Sequence, residues 1–293
     1  MSRTTLGKAR RADKDEFYTR YDDVKFELDH YLDQLKGKVV YCPCDTENSN
    51  FVKYFKELER SGIIEQVVNS SINDFPFDSE FAKTLYDECD VIVTNPPFSL
   101  FREFMSLVES TGKEFIIWGN NNALSYHVIA RMLRHNKVHL GYIRNCTCKF
   151  EVPEEYKFSS LSHVCPKNDK WYCKVPACSV FTNMNVYSNT LELKCKYDTE
   201  HYPKYDNYDA INVNKVKEIP CDYYEPIGVP ITYMSQHDSS KFKILGVFNN
   251  FDNDPENGRL SGNTVKLDKA PWKTRGPCLH GHALYARLII QRL

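Results

Sequence analysis

The sequence predicts an α/β fold built on a mainly parallel sheet with helices on both faces. Three observations predict it. Short apolar runs recur at 39–42, 63–68, 91–94 and 115–118, each the length of a buried strand. The segments between them carry apolar residues at helical spacing. The chain has 293 residues, 42% of them hydrophobic and 13% aromatic, enough to bury a core without a disulfide or metal scaffold.

Each element can be justified in order. Residues 21–35 read as a helix with Val24, Leu28, Tyr31, Leu32 and Leu35 on one side, closed by Gly37. Val39-Val40-Tyr41-Cys42 reads as a strand, and 50–60 as a helix with Phe51, Tyr54, Phe55 and Leu58 inward. Residues 63–68 are strand-like, 79–88 helical, and Val91–Thr94 a strand leading through Ser99, a candidate cap, into a helix containing Phe101, Phe104, Met105 and Val108. Phe115–Trp118 follows as a strand and Ala123–Leu133 as a helix. After residue 144 helical periodicity fades. Strands are expected at Ser179–Thr182, Leu191–Cys195, Phe242–Phe248 and Ala283–Ile290, with aromatic-packed loops over 197–225 and a loop over 249–262. No internal repeat or low-complexity segment is visible.

Composition excludes some function classes. With 38 Lys+Arg against 39 Asp+Glu, the chain is no tail-driven polycation, although a basic field can still occupy one face. The polar start, Met1–Lys8, does not resemble a signal peptide, and no run approaches the ~18 apolar residues of a membrane span. A soluble protein of a reducing, cytoplasmic compartment is expected, with its 11 cysteines mostly small core residues. Cys173 and Cys178 have zinc-like spacing. Cys146-Thr147-Cys148 looks like strand alternation and His163-Val164-Cys165 is no better, so no metal site is expected.

The sharpest chemical signal is Asn95-Pro96-Pro97-Phe98 at the end of an apolar strand. In parallel α/β sheets, ligands bind beyond the carboxyl ends of strands. Two prolines stiffen the turn and leave carbonyls unclaimed. The Asn95 side-chain oxygen and the Pro96 carbonyl could then accept both hydrogens of a planar amino group, favouring the tetrahedral geometry in which its nitrogen attacks a methyl group. Phe98 could stack on the flat ring bearing that group. The competing reading is a proline-stiffened turn with a core phenylalanine.

Asn-Pro-Pro-Phe resembles the catalytic motif of S-adenosylmethionine-dependent amino-methyltransferases, and the chain is similar to the EcoRI-type adenine-specific DNA methyltransferase family. The resemblance rests on Asp15–Thr19, Gly37–Cys42, Cys44-Asp45, Ser49–Phe51, Asp90–Phe104, Tyr202–Ile211 and Gly228–Thr232. It spans residues 13 to about 248 and is weakest in the cysteine-rich middle. It implies a Rossmann-like methyltransferase core with an appended irregular target-recognition region. By that resemblance 1–20 is an arm and the start of the cofactor pocket, 21–144 the catalytic core, 145–225 the target-recognition region, and 226–293 returning core strands and a basic C-terminal segment.

Carried over by position, Asn95, Pro96, Pro97 and Phe98 match the catalytic turn. Asp45 matches the acid that holds the methionine part of S-adenosyl-L-methionine. Cys44 shares its loop, and Phe17, Tyr18 and Thr19 match the segment lining the same pocket. Asp74 resembles the position contacting the cofactor adenine; a solvated turn aspartate is the alternative, and Asp90 likewise could simply order a loop. Pro43-Cys44-Asp45-Thr46 stands where many methyltransferases have Gly-x-Gly.

Charge is compatible with double-stranded DNA as partner. Residues 130–149 carry Arg131, Arg134, Lys137, Arg144 and Lys149 without an acid. Residues 266–293 carry Lys266, Lys269, Lys273, Arg275, Arg287 and Arg292 against Asp268. Arg131, Arg134, Arg144, Lys149, Lys273 and Arg275 are the candidate phosphate contacts, and Arg3, Lys8, Arg10 and Arg11 could add an arm. The expected activity is site-specific adenine-N6 methylation of a flipped-out base in DNA, in a restriction-modification, phage or regulatory setting. RNA adenine methylation, protein glutamine-amide methylation and a silent DNA-binding module are the alternatives. The oligomeric state is open, with a monomer the simpler expectation.

Overall fold

The computed structural model describes residues 17–70, 77–153, 165–167, 170–187, 191–268 and 272–293. Asp74, Asp15, Glu16, Arg3, Lys8, Arg10, Arg11, His163 and Lys269 lie outside them. The chain divides into two compact units, 1–121 with 140–186, and 122–139 with 187–293.

The first unit is an α/β sheet whose main path runs β1-β6-β8-β5-β4-β2-β3. Its strands include β1 (Tyr18–Thr19), β2 (Val39–Cys42), β3 (Gln66–Asn69), β4 (Val91–Thr94), β5 (Glu114–Asn120), β6 (Cys146–Val152), β7 (Cys165–Lys167) and β8 (Lys170–Thr182). The four strands β3, β2, β4 and β5 are parallel, while β8, β6 and β1 each run antiparallel to the preceding neighbour. Helices connect the parallel strands: α1 (Tyr21–Leu28) leads in, followed by α2 (Asn50–Arg60), α3 (Glu80–Glu88) and α4 (Phe101–Thr111). From β2 the chain steps outward to β3, then returns to the far side of β2 to form β4. The carboxyl ends of β2 and β4 therefore meet where the winding reverses, the usual ligand crevice of such sheets.

Local chemistry explains these elements. Ser49 and Ser79 cap α2 and α3, their hydroxyls accepting from Val52 N at 3.1 Å and Ala82 N at 3.2 Å. α2 buries Phe51, Val52, Tyr54, Phe55 and Leu58, and each such side chain contributes roughly 1.5–3 kcal/mol. α4 begins after Leu100, not Ser99, and has no side-chain cap; its first turn is set by Leu100 N–H donating to the Pro97 carbonyl at 3.0 Å. Gly112, at φ 66°, ends it. Gly119 is required because a Cβ there would meet the Phe101 ring at 2.5 Å. Asp90 sits at the amino end of β4, accepting from Val39 N at 2.8 Å, and so orders strand starts on the edge opposite the crevice.

Several expectations are corrected. The helix over 21–35 is broken by a 3-10 turn at Asp29–Tyr31, and the strand at 63–68 begins only at Gln66. The helix over 123–133 is a 3-10 segment, Asn121–Ser125, followed by α5 (His127–Arg134), which lies in the second unit. Strands β6, β7 and β8, drawn from residues expected to form a target-recognition region, pair into the first sheet. Composition misled here because these strands alternate buried cysteine and valine with exposed lysine rather than forming apolar runs. Leu191–Cys195 makes only an isolated bridge from Cys195 to Pro220.

Residues 226–293, expected to return to the core, form a sheet of the second unit. Its order is β9 (Ile211–Asn212), β10 (Ile227–Pro230), β17 (Arg287–Arg292), β11 (Phe242–Phe248) and β12 (Arg259–Leu260). The last strand runs 287–292 rather than 283–290. Two ribbons precede it, β13 (Val265–Lys266) with β14 (Lys273–Thr274), and β15 (Cys278–Leu279) with β16 (His282–Ala283). The loop expected at 249–262 contains a 3-10 turn, Pro255–Asn257, and β12. In the 197–225 segment, Tyr197 stacks on Tyr202 at 5.8 Å and meets Tyr223 at 4.5 Å, the expected aromatic packing.

The described cysteines are free thiols, and among the described residues no group of His, Cys, Asp and Glu is arranged to hold a metal ion. No helix among the described residues is long and apolar enough to cross a membrane.

Glu27 fastens the antiparallel half of the first unit. It is 0% exposed and accepts from Tyr31 Oη at 2.8 Å, Tyr142 N at 2.9 Å and Ile143 N at 2.5 Å. Those bonds fix the loop that enters β6. Burial pushes its carboxyl above the usual range while the donated bonds pull it back. Glu27→Ala strands two buried N–H groups and is expected to lower unfolding free energy by about 2–4 kcal/mol in urea titrations. Glu27→Gln, which keeps one acceptor oxygen, should lose less.

Candidate functional site

The site assembles where β2, β4 and β1 end. β2 delivers Cys42-Pro43-Cys44-Asp45, and Asp45 is buried. β4 ends in Thr94, whose hydroxyl donates to Asp45 Oδ2 at 2.7 Å. The end of β3 braces the same loop. Asn69 Nδ2 donates to the Asp45 carbonyl at 3.1 Å, Ser70 N to the Cys42 carbonyl at 3.2 Å, and Ser70 Oγ to the Pro43 carbonyl at 3.4 Å.

Among the described residues, Asp45 has hydroxyl donors but no cationic partner. Burial therefore raises its carboxyl to about 6, against the lowering effect of bonds from Thr94 and Ser49. Burial also pushes the Cys44 thiol far up, so this cysteine is a neutral wall rather than a nucleophile.

One residue beyond Thr94, the Asn95 amide is held at one end only. Its Nδ2 donates to the Phe17 carbonyl at 2.8 Å, which assigns the amide orientation, and its buried Oδ1 has no partner. Pro96 is buried and, among the described residues, its carbonyl accepts no backbone hydrogen bond. The Pro97 carbonyl is taken by Leu100. The corner thus offers a fixed buried side-chain acceptor beside a backbone carbonyl that no described backbone N–H claims.

β1 closes this side through pairing with β6, Thr19 opposite Phe150 and Tyr18 opposite Glu151. Asn50 Nδ2, at the start of α2, donates to the Thr19 carbonyl at 2.8 Å. Phe17 and Thr19 point inward, and the buried Thr19 Oγ1 has no partner. Tyr18 faces the other way and is 52% exposed, as strand alternation requires.

The structure thus brings Phe17, Thr19, Cys44, Asp45, Asn95, Pro96, Pro97 and Phe98 into one unit and leaves Tyr18 on the opposite face of its strand. Arg144 and Lys149 belong to the same unit, whereas Arg131, Arg134, Lys273 and Arg275 belong to the second.

Three residues of the site escape sequence reasoning. Thr94 reads as the last residue of an apolar strand. Asn50 reads as part of a helix start. Phe150 lies in the cysteine-rich stretch, yet its ring meets Phe17 at 5.8 Å and Phe98 at 6.0 Å, and Phe17 meets Phe98 at 5.3 Å, all edge-on. This phenylalanine triad sets the Phe98 ring plane. The one available signal was alternation along 146–152, which puts Cys148, Phe150 and Val152 on one face.

The Asp45 carboxyl should titrate near 6 by carboxyl-carbon NMR, and Thr94→Val should move it higher by removing a bond to the charged form. Because the folded value lies above that of the unfolded chain, this group's contribution to stability should fall as pH rises from about 4 through 6. Asp45→Asn should remove that component from the pH dependence of urea midpoints.

Comparisons with known proteins complete the description. The sequence matches the family described as adenine-specific methyltransferase EcoRI over residues 5–74 and 62–293. Type II methyltransferase M.EcoRI of Escherichia coli is 34% identical over 286 residues, covering 82% of this chain and 88% of that protein. Type II methyltransferase M.MpnI of Mycoplasma pneumoniae is 34% identical over 270 residues, covering 82% and 84%. A third relative, Type II methyltransferase M.MgeORF184P of Mycoplasma genitalium, is 32% identical over 269 residues, covering 82% and 85%.

Proposed function

The chain belongs to the EcoRI adenine-specific methyltransferase family, and on that premise we propose that it methylates the exocyclic N6 of adenine in double-stranded DNA, using S-adenosyl-L-methionine. The observation that carries the reading is the buried, unpartnered Asn95 Oδ1, held in place by the Phe17 carbonyl on the other end of the amide. An amide locked in this way presents an acceptor, and an aromatic amino group has the hydrogen to fill it.

The residues fit the cofactor on their own chemistry. Asp45 is a buried carboxylate without a cation, suited to an α-ammonium group, and Thr19 Oγ1 is a buried hydroxyl in need of a partner. Asp45 and Thr19 would hold the methionine end, with Phe17 and Cys44 as apolar walls. Asp74 is retained as the adenine contact, whereas Tyr18, turned away by strand alternation, is given no contact with the cofactor. When bound, the cofactor supplies an electrophilic sulfonium methyl.

The protein's own part is to orient the nucleophile. Asn95 Oδ1 and the Pro96 carbonyl accept the two amino hydrogens, drawing the nitrogen lone pair out of conjugation with the ring. Pro97 keeps the turn stiff. Phe98, held edge-on by Phe17 and Phe150, stacks on the purine. The target adenine has to leave the helix, because stacking hides its amino group. No strong base is needed: the nitrogen sheds its proton to the acceptors and solvent after the methyl has moved. Arg131, Arg134, Arg144, Lys149, Lys273 and Arg275 are the candidate phosphate contacts. The genome as substrate makes the bacterial cytoplasm the working compartment, with a restriction-modification role the natural setting.

Incubation with labelled cofactor and a mixture of duplex DNA, RNA and protein, followed by digestion, should yield N6-methyladenine from the DNA. Label confined to RNA or to glutamine overturns the assignment. Asn95→Ala should lower kcat by roughly 10²–10³ while cofactor binding persists, and unchanged turnover overturns the mechanism.

Cofactor binding also has a predicted pH profile. The ammonium requires ionised Asp45, so Kd should be flat above pH 7 and rise towards about tenfold per unit below 6. Isothermal titration at several pH values measures this. Asp45→Asn should flatten the profile and weaken binding by roughly 10- to 100-fold.

A further inference from the structure

We propose that the two β-ribbons of the second unit, β13–β14 and β15–β16, form a grip on the phosphate backbone of duplex DNA, with Lys266 and Lys273 as its paired contacts. The inference rests on the proposed DNA substrate. It goes beyond that reading by assigning the polyanion to one built surface.

The first observation is register. Lys266 and Lys273 are directly opposite across β13 and β14, so their side chains leave the same face of the ribbon. Both are exposed, and neither has a carboxylate partner among the described residues. Like charges directly opposed across strands destabilise the pair. The ribbon's one described acid does not relieve it: the Asp268 carboxylate packs on Gly281, where a Cβ would meet its atoms at 2.1–2.5 Å. The two-lysine face is therefore left to be neutralised from outside.

The second observation is that the ribbons are fastened, not loose. Asp206 caps the β15–β16 turn, accepting from His280 N at 3.0 Å, Gly281 N at 2.8 Å and Cys278 Sγ at 3.3 Å. Asn207 Nδ2 donates to the Gly276 carbonyl at 2.9 Å and the Asn263 carbonyl at 3.2 Å, tying both feet of β13–β14. Asp268 N donates to the Gly281 carbonyl at 3.1 Å and joins one ribbon to the other. The Asp206-Asn207 pair is thus a clasp that holds the lysine face in a fixed orientation.

Charge and shape choose the occupant. Arg275 contacts Ser261 at 3.0 Å and Asp252 at 3.7 Å, and Arg287 faces Asn212 and Asn214 at 3.4 Å, so among the described residues the lysines of the ribbons left without a carboxylate are Lys266 and Lys273. Trp272, 64% exposed, directly precedes Lys273, and Tyr285, 91% exposed, follows β16. A two-stranded ribbon fits the width of a B-DNA major groove, and exposed rings beside lysines suit sugar and base edges better than an acidic protein surface.

The test is fluorescence anisotropy of a labelled duplex carrying the methylated site, titrated with wild type and the Lys266→Gln/Lys273→Gln variant over a range of KCl. Loss of two phosphate contacts should make the slope of log K against log salt shallower by about 1.8 and weaken low-salt binding roughly tenfold or more. Lys266→Arg/Lys273→Arg should keep the wild-type slope. Cofactor affinity should be the same in all three proteins. An unchanged slope in the glutamine variant, with wild type binding and methylating DNA, overturns the ribbon grip and leaves the proposed activity standing. Wild type that methylates RNA alone overturns the DNA reading, and the ribbon's occupant with it.

Discussion

The site depends on the hydrogen bond from Thr94 to the buried carboxylate of Asp45. It joins the ends of two neighbouring parallel strands at the point where the winding reverses, and so couples two loops that are 49 residues apart in sequence. A desolvated carboxylate with hydroxyl donors and, among the described residues, no cation is an unsatisfied demand, which its elevated titration point expresses. Asn95 is the next residue after Thr94, so the strand end that holds the carboxylate also carries the Asn95 acceptor. Two chemical requirements, a cation here and an amino hydrogen there, are met within one rigid stretch of backbone.

The antiparallel half of the sheet supplies the other constraint. β1 is only two residues long and would not persist alone; it is held by β6 and by Asn50 reaching to the Thr19 carbonyl. Through it, the Phe17 carbonyl orients Asn95, and the Phe17 and Phe150 rings orient Phe98. Glu27 in turn fixes the loop that feeds β6. The Asn95–Phe98 corner is therefore supported from the side of the sheet that contributes no parallel strand, and its geometry depends on pairings between residues more than a hundred positions apart.

That distance explains what was legible in the sequence. The parallel half was readable because each element announces itself locally. The apolar spacing of 50–60 behind Ser49 marks α2, and the four-residue run Val91–Thr94 marks β4. Asn95–Phe98 stood out as a motif at a strand end, where such sheets bind ligands, and Asp45 was picked out by the family resemblance. The antiparallel half was not. Its strands interleave lysine, cysteine and proline, and β8 extends to 13 residues only because β5, β6 and β7 all pair with it. Phe150 and Thr94 acquire their roles from tertiary pairing, which no window of sequence displays. The same holds for the opposed lysines of β13 and β14, separated in sequence and invisible as a pair until the register is known. Tyr18 shows the converse: a motif neighbour need not share the pocket, because strand alternation turns every second residue away.

The most direct test of the account is a crystal structure with a conjugate in which the adenine N6 is joined covalently to the cofactor's methionyl-adenosine. The account predicts the α-ammonium on Asp45, with Thr94 still donating to that carboxylate, and the linked N6 within hydrogen-bond distance of Asn95 Oδ1. An ammonium bound elsewhere, or an Asn95 amide released from Phe17 and turned from the linked nitrogen, would contradict it.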